Sequence, residues 1–72
     1  MRKFFEVYER YRKRYNLKAI IQTSIYGYNR IRIWQEKSIS ENNMIMDVFA
    51  SNEEELSVIA TDQLVRYFEI FN

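Results

Sequence analysis

The chain has 72 residues, a net charge of +1 and neither Cys nor His. Its length predicts a single domain over residues 1–72, and its content of 47% hydrophobic and 17% aromatic residues suits a small, densely packed core. The lack of Cys and His excludes disulfides, the usual zinc sites, and nucleophiles that depend on a thiol or an imidazole base.

The first predicted element is an α-helix over residues 2–15. Aromatic side chains recur every three or four positions, which is the spacing of one helical stripe, and Asn16 is predicted to end the helix. A basic cluster follows towards the helix end. It suits the helix dipole, and contact with nucleic-acid phosphates is the functional alternative. The stripe comprises Phe4, Tyr8, Tyr11 and Tyr15; the basic cluster comprises Arg10, Arg12, Lys13, Arg14 and Lys18.

Three strands are predicted next, over residues 17–26, 30–36 and 44–50, because apolar and polar residues alternate there. The only glycine lies in Tyr26-Gly27-Tyr28-Asn29, the predicted hairpin turn. The polar residues 37–43 are predicted to form the second connection. The alternation places Met44 in the core. It places on the other sheet face Tyr26, Arg30, Arg32, Trp34, Ile45 and Phe49.

The last predicted element is a second helix. Ser51 at the N-cap, with Glu54 three residues later, matches a capping box, and apolar residues keep helical spacing up to Phe71. The order α-β-β-β-α predicts an α+β fold in which two helices pack on one face of a three-stranded antiparallel meander. The predicted core comprises Phe4, Tyr8, Tyr11, Tyr15, Ile21, Ile31, Ile33, Met46, Val48, Leu56, Ile59, Leu64 and Phe68.

Catalytic groups are scarce. The carboxylate cluster Glu53-Glu54-Glu55 falls in the first turn of the second helix, where acidic residues stabilise a helix, and one glycine cannot form a phosphate-binding loop. We therefore expect no enzymatic activity, no cofactor and no metal. No apolar run approaches the ~20 residues of a membrane span. No signal peptide is recognisable, so a cytoplasmic protein is expected.

The element order resembles that of the double-stranded-RNA-binding domain over the whole chain. That family binds RNA through a Gly-Pro-X-His loop between its first two strands and a lysine-rich start of its last helix. The corresponding segments here are Tyr26-Gly27-Tyr28-Asn29 and Asn52-Glu53-Glu54-Glu55. The resemblance therefore implies the fold and carries over no binding residue. The same order is similar to that of some small phage anti-CRISPR proteins, which inhibit a host nuclease by occupying its surfaces.

Arginine alternates with aromatic residues on the predicted free sheet face, as in protein-binding hot spots and in platforms for single-stranded nucleic acid. The leading hypothesis is a non-enzymatic protein-binding module, such as a phage- or mobile-element-encoded inhibitor of a larger host protein. The alternatives are nucleic-acid binding through the basic cluster and this face, a homodimeric structural subunit, or a structural role with Trp34 lying flat across the sheet. The predicted partner-binding residues are Arg30, Arg32, Trp34, Tyr26, Glu53, Glu54 and Glu55.

Overall fold

A computed structural model describes residues 1–36 and 43–70, which form two helices and one antiparallel sheet with the strand order β1-β2-β3. This α-β-β-β-α arrangement confirms the predicted α+β fold. Residues 37–42 of the predicted second connection and Phe71 of the last stripe lie outside the described residues. The elements are α1 (Arg2–Tyr15), β1 (Leu17–Gln22), β2 (Asn29–Gln35), β3 (Met44–Ala50) and α2 (Glu53–Glu69).

The helix α1 forms as its aromatic stripe predicts. Phe4, Tyr8 and Tyr11 are buried. Asn16 follows the helix in the left-handed conformation, with φ 58°, and its backbone N–H donates to the carbonyl of Arg12. Because Asn adopts this conformation more readily than most residues with a side chain, it ends α1 as predicted.

The sheet buries one face because apolar residues alternate along its strands. Ile31 and Ile33 of the central strand β2 are fully buried. Ile21 of β1 pairs in register with Ile31, and Met46 and Val48 of β3 lie on the other side of β2 and are also buried. This face forms the floor of the core.

The first hairpin differs from its prediction at the turn. β1 ends at Gln22, and the N–H of Gly27 donates to the carbonyl of Ser24, so the chain reverses over Ser24–Gly27. Tyr26 therefore lies in the turn, and its predicted place on the sheet is wrong. The buried side chain of Asn29 accepts a hydrogen bond of 3.4 Å from the N–H of Ser24 and so joins the two ends of the turn.

A register shift in β3 alters the predicted faces at its start. Ile33 pairs with Met46, but Trp34 pairs with Met44, so Ile45 is an additional residue on β3. One extra residue reverses the alternation beyond it. The predicted positions of Met44 in the core and Ile45 on the opposite face are therefore wrong. Met44 is 41% exposed, and Ile45 packs against the core.

The helix α2 begins one residue later than the capping-box pattern predicts. Asn52, and not Ser51, is the N-cap, and its side-chain oxygen accepts a hydrogen bond of 2.8 Å from the N–H of Glu55. The hydroxyl of Ser51 instead donates to the Glu55 carboxylate at 2.9 Å. Both residue types are good N-caps, so sequence preference alone does not separate two such neighbours.

Both helices pack on the same face of the sheet. They also run in the same direction: β1 and β3 are both antiparallel to β2, and α1 ends where β1 begins, whereas α2 begins where β3 ends. The rings of Tyr11 and Tyr15 stack on Phe68 with centroid distances of 4.8 and 4.2 Å, so the ends of the helices meet. Most of the predicted core is confirmed, but Tyr15, Ile21 and Ile59 are only half-buried. The buried hydrophobic residues are Phe4, Val7, Tyr8, Tyr11, Leu17, Ile31, Ile33, Met46, Val48, Leu56, Ala60, Leu64 and Phe68.

Candidate functional site

Among the described residues, nothing covers the face of the sheet that points away from the helices. Backbone alternation places on this face the residues that lie between the core positions of each strand. Arg30, Arg32 and Trp34 occupy these positions on β2, as the sequence predicts. We call this surface the open face; it comprises Lys18, Ile20, Gln22, Arg30, Arg32, Trp34, Met44, Asp47 and Phe49.

Arg30 and Asp47 form an ion pair between β2 and β3 on the open face. Nε and one terminal nitrogen of the guanidinium donate to the two carboxylate oxygens at 2.8 and 2.7 Å. The hydrogen bond from Arg30 lowers the pKa of Asp47, and the same bond, with a smaller contribution from Tyr28, raises the pKa of Arg30. The guanidinium carbon also lies 4.6 Å from the ring centroid of Phe49. The positive charge of Arg30 is thus balanced within the fold by Asp47.

Arg32 has a different environment, although it is only two residues away. Its guanidinium carbon lies 5.6 Å from the ring centroid of Trp34. Its Nε is buried and has no hydrogen-bond partner in the described part of the chain. A buried donor without an acceptor costs about 1–3 kcal/mol. Arg32 therefore carries hydrogen-bonding capacity that the fold, as far as it is described, does not use.

Apolar side chains surround these charges. Ile20 and Met44 are each 41% exposed and Phe49 is 53% exposed, although they belong to strands whose other face forms the core. Tyr28, just before β2, touches Phe49 edge-on with a centroid distance of 6.0 Å. The open face thus combines apolar area with arginine and aromatic residues, a composition typical of the centre of protein interfaces.

The other predicted partner-binding residues lie at one end of the sheet. Tyr26 is in the hairpin turn, and Glu53, Glu54 and Glu55 form the exposed first turn of α2. A shallow depression of about 400 Å³ is lined by hairpin residues on one side and by the start of α2, including Glu53, on the other. The structure therefore brings the acidic turn beside the hairpin and keeps both apart from Trp34.

The basic cluster divides between the two sides of the sheet. Lys18 lies on the open face, opposite Trp34 in the register of β1 and β2. The arginines and the lysine of α1 lie on the helix side, where Arg12 pairs with Glu9 at 2.9 Å and Arg14 lies over the ring of Tyr15. A single ligand would have to reach around the sheet to contact both parts of the cluster.

Ile25 is a surface residue that the sequence prediction missed. The predicted strand over residues 17–26 includes it, but it lies in the turn and is 95% exposed. The signal that could have placed it there is the flanking pair Ser24 and Gly27, since both residue types favour turns.

In the described ranges, 1–36 and 43–70, no three carboxylates come together as they would to bind a metal ion. Neither helix there has the length and apolar character that crossing a membrane requires. Comparison of the chain with protein-family models, with curated proteins and with solved structures finds no match.

Proposed function

We propose that this chain is a non-enzymatic protein-binding module whose partner contacts the open face of the sheet. One observation carries the proposal: Arg32, with a buried Nε that lacks an acceptor, lies against Trp34 among exposed apolar side chains. Arginine and tryptophan are the residues most enriched where binding energy concentrates in protein interfaces. A partner would remove the apolar side chains from water and offer acceptors to the part of the half-buried Arg32 side chain that is exposed.

The contacts on the open face favour a protein over a nucleic acid. Base stacking needs aromatic rings with a free side, whereas Arg30 and Arg32 already lie over Phe49 and Trp34. Arg30 is in addition paired with Asp47. Only part of the positive charge of this face is thus left for phosphates, which supply much of the affinity of nucleic-acid complexes.

A module of this kind acts by occupying a surface of its partner. Binding alone is sufficient for an inhibitor or an adaptor, and neither role needs a catalytic residue. We propose inhibition of a larger protein as the mode of action, because a small domain that binds through its open face can cover a functional surface of its partner.

Affinity capture from a lysate of the cells in which the chain is made tests this proposal. The immobilised chain is compared with the variants Trp34→Ala and Arg32→Glu, and with Val58→Ser as the matched control, since Val58 is 64% exposed on α2. We expect one protein to be retained after nuclease treatment by the wild type and by the control. The two open-face variants should bind it about 30-fold or more weakly.

Three results would contradict the proposal. Retention that nuclease treatment abolishes, and that falls by about a thousandfold between roughly 50 and 200 mM salt, would indicate nucleic-acid binding. Self-association in sedimentation that the open-face variants abolish would indicate a homodimer. Equal capture by all variants would show that the open face is not the binding surface. Circular dichroism of each variant separates lost binding from lost folding: if Trp34→Ala unfolds, Trp34 belongs to the core and Arg32→Glu decides.

A further inference from the structure

The tip of the first hairpin presents two large apolar side chains that bury almost no surface within the fold. Ile25 is 95% exposed and Tyr26 is 91% exposed, the two highest values among the large hydrophobic residues described. They occupy the central positions of the turn Ser24–Gly27, where Gly, Pro, Asn, Asp or Ser are usual. Two adjacent apolar residues in such a turn leave their surface available to a partner.

Hydrogen bonds hold the backbone of this turn in place. The N–H of Gly27 donates to the carbonyl of Ser24 at 3.2 Å, and the N–H of Tyr26 donates to the Ser24 hydroxyl at 3.1 Å. Asn29, which is 2% exposed, accepts from the N–H of Ser24 and donates to the carbonyl of Ala50 on β3. Because the turn is tied to the sheet in advance, its ordering on binding costs less entropy.

The charge beside the tip limits the chemistry of the partner. The depression next to Ile25 is lined also by Ser51, Asn52 and Glu53, and Glu53 is the charged residue of this described lining. Glu53 and Glu54 form no ion pair with a described residue. Arg2, at the start of the neighbouring α1, does not pair with them, and its Nε lies 3.9 Å from the carboxylate of Glu6 instead. The tip therefore has negative charge on one flank that can attract a basic group.

We infer that the hairpin tip is an insertion loop for a protein partner: Ile25 and Tyr26 enter an apolar pocket, and a Lys or Arg at the rim of that pocket pairs with Glu53. Negative charge beside the tip repels phosphate, so nucleic acid is not the occupant. The inference rests on the proposed function in that both require a protein partner. It adds a second contact, because the tip lies at one end of the sheet and adjoins the open face through Tyr28 and Phe49.

Site-specific photo-crosslinking distinguishes the two surfaces. The photoreactive residue p-benzoylphenylalanine is placed in turn at position 26 in the tip, at position 20 on the open face and at position 58 on α2. Each full-length chain is irradiated in the same lysate, and the crosslinked segments are identified by mass spectrometry. The protein crosslinked from position 26 is then purified, and its affinity for the wild-type chain is measured.

The inference predicts that position 26 crosslinks to an apolar segment with Lys or Arg nearby, and that position 58 does not crosslink to that protein. The double variant Ile25→Ser, Tyr26→Ser should keep the wild-type thermal midpoint and bind the purified partner about 30-fold or more weakly. Glu53→Lys should also weaken binding. Crosslinking from position 20 alone would overturn the insertion loop and leave the proposed function intact, and crosslinking from neither position would overturn both. A crosslink from position 26 to nucleic acid, or to another copy of this chain, would also overturn the inference.

Discussion

On the open face, Arg30 joins the central strand to β3 through two hydrogen bonds to Asp47. Paired exposed charges contribute little on average, but a guanidinium that meets both oxygens of one carboxylate has the geometry in which such a pair counts. The ring of Phe49 beneath Arg30 restricts it further. We therefore expect this pair to fix the pairing of β2 with β3 close to the side chains that we propose contact a partner.

Asp47→Asn tests this contribution through its pH dependence. The hydrogen bond from Arg30 lowers the pKa of Asp47 below the 3.8 of an unperturbed aspartate. Ionised Asp47 therefore stabilises the native state above that pH. This stabilisation is lost as the pH falls from about 4 through the lowered pKa, because the native carboxylate must then take up a proton. Thermal midpoints measured across this range should be higher for the wild type than for the variant at neutral pH, and should converge in acid.

Asp62→Asn is the matched control for that titration. Asp62 pairs with Arg66 one turn along α2, and both side chains are more than half exposed. An exposed pair of this kind contributes little to stability, so the control should change the midpoint less. If the two variants show the same pH dependence, the pairing of Arg30 with Asp47 is not what makes the thermal midpoint fall in acid.

At the level of the elements, the start of α2 depends on its N-cap. Asn52→Ala removes the acceptor for the N–H of Glu55 and should lower the free energy of unfolding by about 1 kcal/mol. Ser51→Ala is the matched control, since the Ser51 hydroxyl donates to the exposed Glu55 carboxylate, and it should cost clearly less. Urea denaturation measures both values. A larger cost for Ser51→Ala would return the N-cap to Ser51, where the capping-box pattern placed it.

The order and type of the elements could be read from periodicity, and so could the open-face positions of Arg30, Arg32 and Trp34. Alternation shows which residues share a face while a strand continues regularly, but it does not show where pairing stops. The extra residue Ile45 therefore reversed the face of Met44 without any sign in the sequence. Tyr26 was placed on the sheet for the same reason, because the buried Asn29 that ends the hairpin ladder reads as an ordinary turn residue.

Arg32 shows what the sequence could not reveal about the candidate site. The acceptor missing at Arg32 Nε depends on how Trp34 and the neighbouring strands lie in space, and no spacing encodes this. The pairing of Arg30 with Asp47 likewise requires the register of β2 against β3. Sequence reasoning thus placed Arg30 and Arg32 on one face of the sheet but did not show which of the two is already engaged.

At the scale of the whole molecule, a hydrogen bond joins the two helices through residues that lie far apart in the sequence. The hydroxyl of Tyr11 donates to the Glu69 carboxylate at 2.7 Å across 58 residues. This bond is the largest cause of the raised pKa of Tyr11, followed by burial. The neutral hydroxyl therefore stabilises the native state below the tyrosine's ordinary pKa of 10.0, and that stabilisation is lost as the pH rises through the raised value.

Tyr11→Phe keeps the ring stacked on Phe68 and removes this hydrogen bond, so it should cost about 1 kcal/mol of unfolding free energy at neutral pH. Tyr15→Phe is the control, because Tyr15 also stacks on Phe68 but its hydroxyl has no hydrogen bond to a described residue. Urea denaturation should show a deficit for Tyr11→Phe that shrinks above about pH 10. A deficit that is equal for both variants, or independent of pH, would contradict the role of the bond to Glu69. Tyr8 keeps some alkaline sensitivity in every variant, since burial raises its pKa as well.

The parallel packing of α1 and α2 has a consequence for biosynthesis. The stripe of α1 precedes α2 in the sequence and includes Tyr11, whose ring is covered by Phe68, a residue of the last element described. Until α2 is complete, the nascent chain exposes this aromatic stripe, with only the sheet to shelter part of it. A ribosome that stalls within β3 would therefore hold a chain whose α1 stripe lacks this cover, because α2 has not yet been synthesised.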